Sequence, residues 1–237
     1  MGRRPSGVSI AVLPKREPDA NQEKLLRAAQ KLFAMHGLAG TQIAHITAEA
    51  GTGISMFYRY FADKNDLLQC LLKVFFDEFD AKLADALEGV ESQTPLEQLL
   101  TIRKVFQRVL GMLVARPDLT VVLLRTGFAA DERIERLVRE RIAKITTDLA
   151  NHIALAEDAG LLAVKQKELL GHAVAGLVLQ VAQVLILEGK PELDEAVDTC
   201  TRFTLGGLIA FSRPEAFTEI VPALRYMLQT QPREGKP

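Results

Sequence analysis

Residues 41–64 read TQIAHITAEAGTGISMFYRYFADK, and this stretch decides the fold. Two short helical segments flank the glycines Gly51 and Gly53, the arrangement of a helix-turn-helix. Thr41 stands where a hydroxyl can cap the first helix, which runs to about Ala50. Ile43, Ile46 and Ala50 recur on one face as its core side, and Phe57 and Phe61 do the same for the second helix, Ile54 to Tyr60. The small Ala50-Gly51 pair lets the helices cross closely, and glycine accepts the positive φ that such a turn requires. Thr52, Ile54, Ser55, Met56, Tyr58, Arg59 and Tyr60 are then left facing outward. A surface helix rarely devotes its outer face to Ile, Met and two Tyr without a partner. Hydroxyls and Arg hold phosphates, while Ile and Met meet thymine methyls in a major groove. From the residues alone, that partner is either DNA or a docking protein.

The surrounding chain reads as helix throughout, because apolar residues recur at three and four and period-2 alternation is absent. Residues 1–20 form a flexible basic arm with Pro5, Pro14 and Pro18. A helix from about Asn21 to His36 carries the stripe Leu25, Ala28, Ala29, Leu32 and Phe33, and Gly37 ends it. Asp63 opens a long helix, about Lys64 to Leu87, whose continuous stripe from Leu68 to Leu87 must be buried on one side. Thr94-Pro95-Leu96-Glu97 has a capping-box pattern and opens a helix to about Val114. Arg116-Pro117 breaks it, and a short helix follows to about Arg125. Asp131 caps another long helix to about Asp158, closed by Gly160. Helices over about 165–188 and 193–211 follow, and Pro222 splits a last segment. The expectation is an all-α protein of about nine or ten helices.

The chain has 237 residues, of which 48% are apolar and 25% charged, so it can bury a sizeable core and is neither disordered nor collagen-like. Cys70 and Cys200, the two cysteines, lie far apart in apolar helices and read as buried thiols in a reducing compartment. The longest apolar run, 173–187, is interrupted by Gln180 and Gln183 and is shorter than the ~20 residues of a spanning helix. No export signal is evident at the N-terminus, so the expectation is a soluble cytoplasmic protein with no membrane partner. Residues 1–64 hold nine Lys and Arg against five Asp and Glu, a surplus of +4 on a chain whose total is −1. A basic head on an acidic body suits an anionic polymer. His36, His45, His152 and His172 lack metal-ligand spacing, and no phosphate loop or nucleophile elbow occurs. Neither an enzyme nor a metal or cofactor site is expected.

The stretch is similar to the tetracycline-repressor (TetR) family of bacterial regulators. Ile43, Ile46, Ala50, Gly51, Tyr58, Tyr60, Phe61 and Lys64 stand at the positions of that family's pattern. Ala29, Leu32, Phe33 and Gly37 match the pattern of its first helix. Thr47 and Thr52 depart from the usual Ala and Val, and Ser55 stands where Gly is frequent. The resemblance covers about 21–70. It implies a helix-turn-helix DNA-binding domain over 21–66 and a larger helical ligand-binding and dimerisation domain over 67–230. It makes Ile54–Tyr60 the reading helix, with Tyr58 and Lys64 on phosphate and with Ile54, Met56 and Tyr60 nearest the bases. Gln42, Thr52, Ser55 and Arg59 complete the candidate DNA-binding set, Arg59 as the one side chain suited to guanine.

The implied function is a ligand-responsive transcriptional regulator, a repressor released from a palindromic double-stranded DNA operator by a small hydrophobic or amphipathic effector. The alternative is a helical protein-docking or small-ligand module that does not bind DNA. Candidate effector contacts are Arg103, Phe106, Leu110, Leu124, Arg125, Phe128, His152, His172, Leu177 and Gln180, a mainly apolar wall with a few polar groups to orient a ligand. The run 173–187 is apolar nearly all round and needs covering on two sides. Leu205-Gly206-Gly207-Leu208-Ile209-Ala210 permits close helix approach. Both features suit a homodimer through the helices at about 165–188 and 193–211.

Overall fold

The computed structural model describes residues 19–89, 95–126 and 131–216, the side chains of 95, 96, 98–100, 126 and 214 excepted. The basic arm before Asp19, the capping threonine Thr94, Phe128 and Pro222 lie outside these residues. Among the described residues the secondary structure is nine α-helices and one 3₁₀ turn, with no strand. The helices are α1 (Ala20–Gly40), α2 (Ile43–Glu49), α3 (Ile54–Tyr60), α4 (Lys64–Leu87), α5 (Pro95–Ala115), α6 (Pro117–Thr126), α7 (Glu132–Asp158), α8 (Lys167–Glu188) and α9 (Leu193–Ile209).

Helix ends follow local chemistry. Asp63 caps α4 by accepting from the Asp66 amide, and Asp131 caps α7 by accepting from the Arg133 amide. Gly51 takes φ 63° at the turn between α2 and α3, and Gly189 takes φ 66° to end α8. Two ends differ from expectation. Gly37 kinks α1 at φ 69° instead of ending it, and the helix resumes to Gly40. Thr41 does not cap α2: Gln42 holds that position without a side-chain bond, and the buried Thr41 hydroxyl donates to the Leu32 and Gly37 carbonyls. Those carbonyls are exposed to it by the kink, so the threonine repairs α1.

Among the described residues the main hydrophobic cluster runs from the helix-turn-helix into the larger body. It begins with Leu25, Phe33, Ile46 and Phe57, passes along α4 through Leu68, Leu72 and Phe75, and continues into Phe106, Leu110, Val122 and Ile134. The helix-turn-helix and the larger helical body therefore share a core across the 66/67 boundary, with α4 belonging to both. α6 packs against α1 on one side and α8 on another, so it too bridges the two regions. α7 lies along α8, and Gly171 makes this possible: a Cβ there would stand 2.8 Å from the Thr146 carbonyl oxygen.

α8, expected over about 165–188, spans Lys167–Glu188. At 22 residues it is the one helix among those described that is long and apolar enough to cross a membrane, and only 17% of its apolar window is buried within the subunit. Length and composition alone set that resemblance; a helix covered by a second protein chain meets the same criterion.

Candidate nucleic-acid interface and effector cavity

α3 is anchored from beneath. Phe57 is fully buried and Phe61 nearly so, with ring centroids 5.7 Å apart, and Ile46 of α2 is fully buried beside them. Burying such side chains stabilises by about 1.5–3 kcal/mol each, which holds a seven-residue helix too short to persist alone. The opposite face is open: Ile54 is 52% and Tyr58 58% exposed, and Ser55, Arg59 and, on α2's first turn, Gln42 are exposed as well. Met56 and Thr52 are half-buried, and the Thr52 hydroxyl is enclosed without a hydrogen-bond partner. Val is usual at that position in the resemblance noted above, and an enclosed hydroxyl is the cost of the threonine.

Two of the candidate DNA contacts are engaged within the protein. The Tyr60 hydroxyl donates to the Asp19 carboxylate, the same group that caps α1 through the Asn21 and Gln22 amides. That bond, followed by the Gln22 amide, holds the Asp19 carboxyl below its ordinary range, and it raises the Tyr60 phenol. Arg59 lies over the Tyr60 ring, 5.9 Å from its centroid. The half-buried Lys64 ammonium donates to the Leu38 carbonyl at 2.7 Å and the Thr41 carbonyl at 3.1 Å, clipping the end of α1 to the start of α4. Both contacts join residues distant in sequence, which is why the local pattern left Tyr60 and Lys64 free. A further pair, Lys31 to Glu49 at 2.6 Å, fastens α1 to α2.

Polar ties also connect this region to the body. Arg133 at the start of α7 reaches Asp63, the cap of α4, at 3.1 Å, and Asp131 at 2.8 Å. The Asp66 amide, aided by Arg133, holds the Asp63 carboxyl below the usual carboxylate range. Arg125, at the end of α6, donates to the Ala34 carbonyl of α1 at 3.2 Å. The sequence reading placed Arg125 at the effector; its place is the junction instead.

The body holds an apolar, partly open cavity of about 340 Å³ between α4, α5, α6, α7, α8 and α9. Phe106, Leu124, His152 and Leu177 are in its lining, as expected. Arg103, Leu110, Arg125, His172 and Gln180 are not. Arg103 pairs with Asp198 at 3.7 Å between α5 and α9, Leu110 is spent in the core, and His172 and Gln180 are exposed on α8. Wall residues outside the expected lining include Phe75, Phe76 and Thr204. The stripe of α4 carried the signal for the two phenylalanines; nothing local marked Thr204. Among the described residues no three His, Cys, Asp or Glu side chains group as metal ligands.

Comparison with known proteins agrees with this geometry. The model of the family described as bacterial regulatory proteins, tetR family, matches residues 25–71. The HTH-type transcriptional regulator HbdR of Aromatoleum sp. (strain CIB) is 30% identical over 118 residues, a match spanning 49% of each protein. The chain thus matches about half the length of this curated relative. Among solved structures, a TetR-like transcriptional regulator from Rhodococcus sp. RHA1 superposes with TM-score 0.68 at 22% identity, over 82% of this chain and 99% of that one. The fatty acid degradation regulator FadR from Bacillus halodurans gives TM-score 0.66 at 18% identity, over 81% and 98%. These likenesses extend the fold well beyond the helix-turn-helix. Residues 25–71 thus match the family described as bacterial regulatory proteins, tetR family, and the chain as a whole carries a TetR-like fold.

Proposed function

We propose that the protein is a ligand-responsive transcriptional regulator that acts as a repressor, binding a palindromic operator as a homodimer. One observation carries the DNA reading: the exposed Ile54, Ser55, Tyr58 and Arg59 face of a helix whose other side is locked by Phe57. Gln42, at the N-cap of α2, is exposed as well. In this proposal Tyr58, Ser55 and Gln42 meet phosphate, Ile54 and Met56 meet base edges, and Arg59 reads guanine or grips the backbone. Tyr60 and Lys64 position the reading helix rather than contact DNA themselves.

Dimerisation places two such helices in successive major grooves, roughly 34–36 Å apart. Its proposed surface is the uncovered side of α8 and α9. Leu169 at 63% and Leu187 at 55% exposure stand on α8, and Gly206 on α9 has open space beside it that admits a neighbouring helix.

The cavity is the proposed effector site, with Phe106, Leu124, His152 and Leu177 among its contacts. Coupling runs through α6. Leu123 and Leu124 reach the cavity, and the next residue, Arg125, holds α1. An effector that favours a shifted α6 changes the spacing of the two heads, and it weakens DNA binding only by its differential affinity for the two arrangements.

The test is a binding-site selection on random duplex DNA with the purified chain, followed by titration of the selected duplex at several salt concentrations. A steep loss of affinity with salt, from counterion release, is the expected result. A flat salt dependence, or no enriched sequence, returns the exposed α3 face to the docking-protein alternative.

A further inference from the structure

The cavity's few polar groups differ in whether the protein satisfies them. Five lining side chains bear one: Thr101, Asp148, His152, Thr204 and Ser212. Thr101 donates to the Glu97 carbonyl, and Ser212 donates to the Leu208 carbonyl. Asp148 pairs with Lys144 at 3.1 Å. Thr204 is the exception. Its neighbours on α9, Thr199 and Thr201, donate to the carbonyls four residues back, but the buried Thr204 hydroxyl has no partner among the described residues. An enclosed hydroxyl with no partner is destabilising unless something else supplies the bond.

His152 adds a second free valence. Its Nδ1 stands 2.7 Å from the Asp148 carbonyl oxygen. A carbonyl only accepts, so Nδ1 carries the proton, and in the neutral ring Nε2 is then an acceptor. One hydroxyl that donates and accepts and one ring nitrogen that accepts suit a ligand O–H.

Charge narrows the class further. Asp148 is the only charged residue in the described lining, and no Lys or Arg is present there. The nearby cations are committed elsewhere. Lys144 is on Asp148 and Arg213 on the Leu162 carbonyl, while Arg103, outside the lining, lies 3.7 Å from Asp198 with no hydrogen bond at its Nε among the described residues. Arg141, behind Phe76, is held by Asp77 and Asp80. A carboxylate brought into this wall loses water and meets no lining cation.

We infer that the cavity takes a neutral, largely hydrocarbon molecule bearing a hydroxyl group, read by Thr204 and His152, and discriminates against the carboxylate of the same chain. This rests on the cavity being the effector site. Isothermal titration calorimetry of the full chain with 1-decanol and with decanoate at neutral pH tests it. The alcohol is expected to bind at least about tenfold more tightly, the step that ~1.4 kcal/mol produces. Thr204→Val, which keeps the side-chain shape, is expected to weaken the alcohol by about fivefold and leave decanoate unchanged. His152→Phe is an independent second variant with the same expected direction, and circular dichroism checks the fold of each. Equal or tighter binding of decanoate, no binding of the alcohol, or alcohol binding indifferent to both substitutions overturns the inference. The separate DNA titration distinguishes the failures: DNA binding without alcohol binding removes this inference alone, and the converse removes only the operator reading.

Discussion

Lys64 offers a sharp test of how the reading head is built. Its ammonium satisfies two carbonyls, of Leu38 and Thr41, that lie 26 and 23 residues away in sequence. Lys64→Met keeps the aliphatic stem and removes both bonds. A hydrogen bond to a charged group contributes about 1.5–3 kcal/mol net, and two would double that in a dry site. Lys64 is only half-buried, so water replaces much of what is lost. The expected destabilisation is about 1–2 kcal/mol, a fall in Tm of roughly 2–8 °C for a chain of this length. Tyr58→Phe is the counterpart. The Tyr58 ring packs edge-on against Phe57 at 5.5 Å, but its hydroxyl makes no bond within the described residues. It should leave Tm unchanged and weaken duplex binding about two- to tenfold. Thermal unfolding and fluorescence anisotropy with the selected duplex separate the two roles. The salt series adds a third readout, because each phosphate contact contributes about 0.9 to the slope of log K against log salt. If Lys64→Met lowers that slope by about 0.9 while Tm stays fixed, Lys64 is a phosphate ligand and the positioning argument is wrong.

Other expectations follow from single contacts. Gly171→Ala forces a methyl to 2.8 Å from the Thr146 carbonyl oxygen, so α7 and α8 must separate; a loss of about 1–3 kcal/mol in a urea titration is expected. Arg125→Ala should change stability little, because the side chain is exposed, yet shrink the effect of a bound effector on DNA affinity by loosening α6 from Ala34. An unchanged effector response in that variant argues against the α6 route. The Asp63 carboxyl is held below its ordinary value, so its contribution to stability is complete above about pH 4 and is lost as pH falls through the lowered value. Urea midpoints measured from pH 7 downward should show this loss, and Arg133→Ala should reduce it. Residues 1–18 carry Arg3, Arg4, Lys15 and Arg16, most of the head's cationic surplus. Deleting residues 2–18 should flatten the salt dependence of DNA binding, and an unaltered slope rules the arm out as a backbone contact.

The sequence exposed those features whose cause is local. Gly51, Gly160 and Gly189 marked helix ends because each takes a positive φ, and Asp63 and Asp131 marked helix starts because each caps its own first turn. Phe57 and Phe61 announced the buried side of α3 by their spacing. Contacts between distant segments left no such trace. Asp19 and Tyr60 are 41 residues apart, Asp63 and Arg133 are 70 apart, and Ala34 and Arg125 are 91 apart. The cavity wall was half legible. Phe106, Leu124, His152 and Leu177 line it, but α8 is apolar nearly all round, which gives no phase to read, and its His172 and Gln180 are exposed outside the lining.

The unbroken core along α4 sets how this molecule can be cut and recombined. A fragment ending at residue 66 would part Leu25, Ile46 and Phe57 from Leu68, Leu72 and Phe75, which bury the same cluster. Such a fragment would melt early or clump. A chimera that joins this helix-turn-helix to another helical body must carry α4 through at least Phe76, together with whatever replaces α6 against α1. In calorimetry the intact chain should therefore melt as one cooperative unit, helix-turn-helix and body together, not in two separate steps.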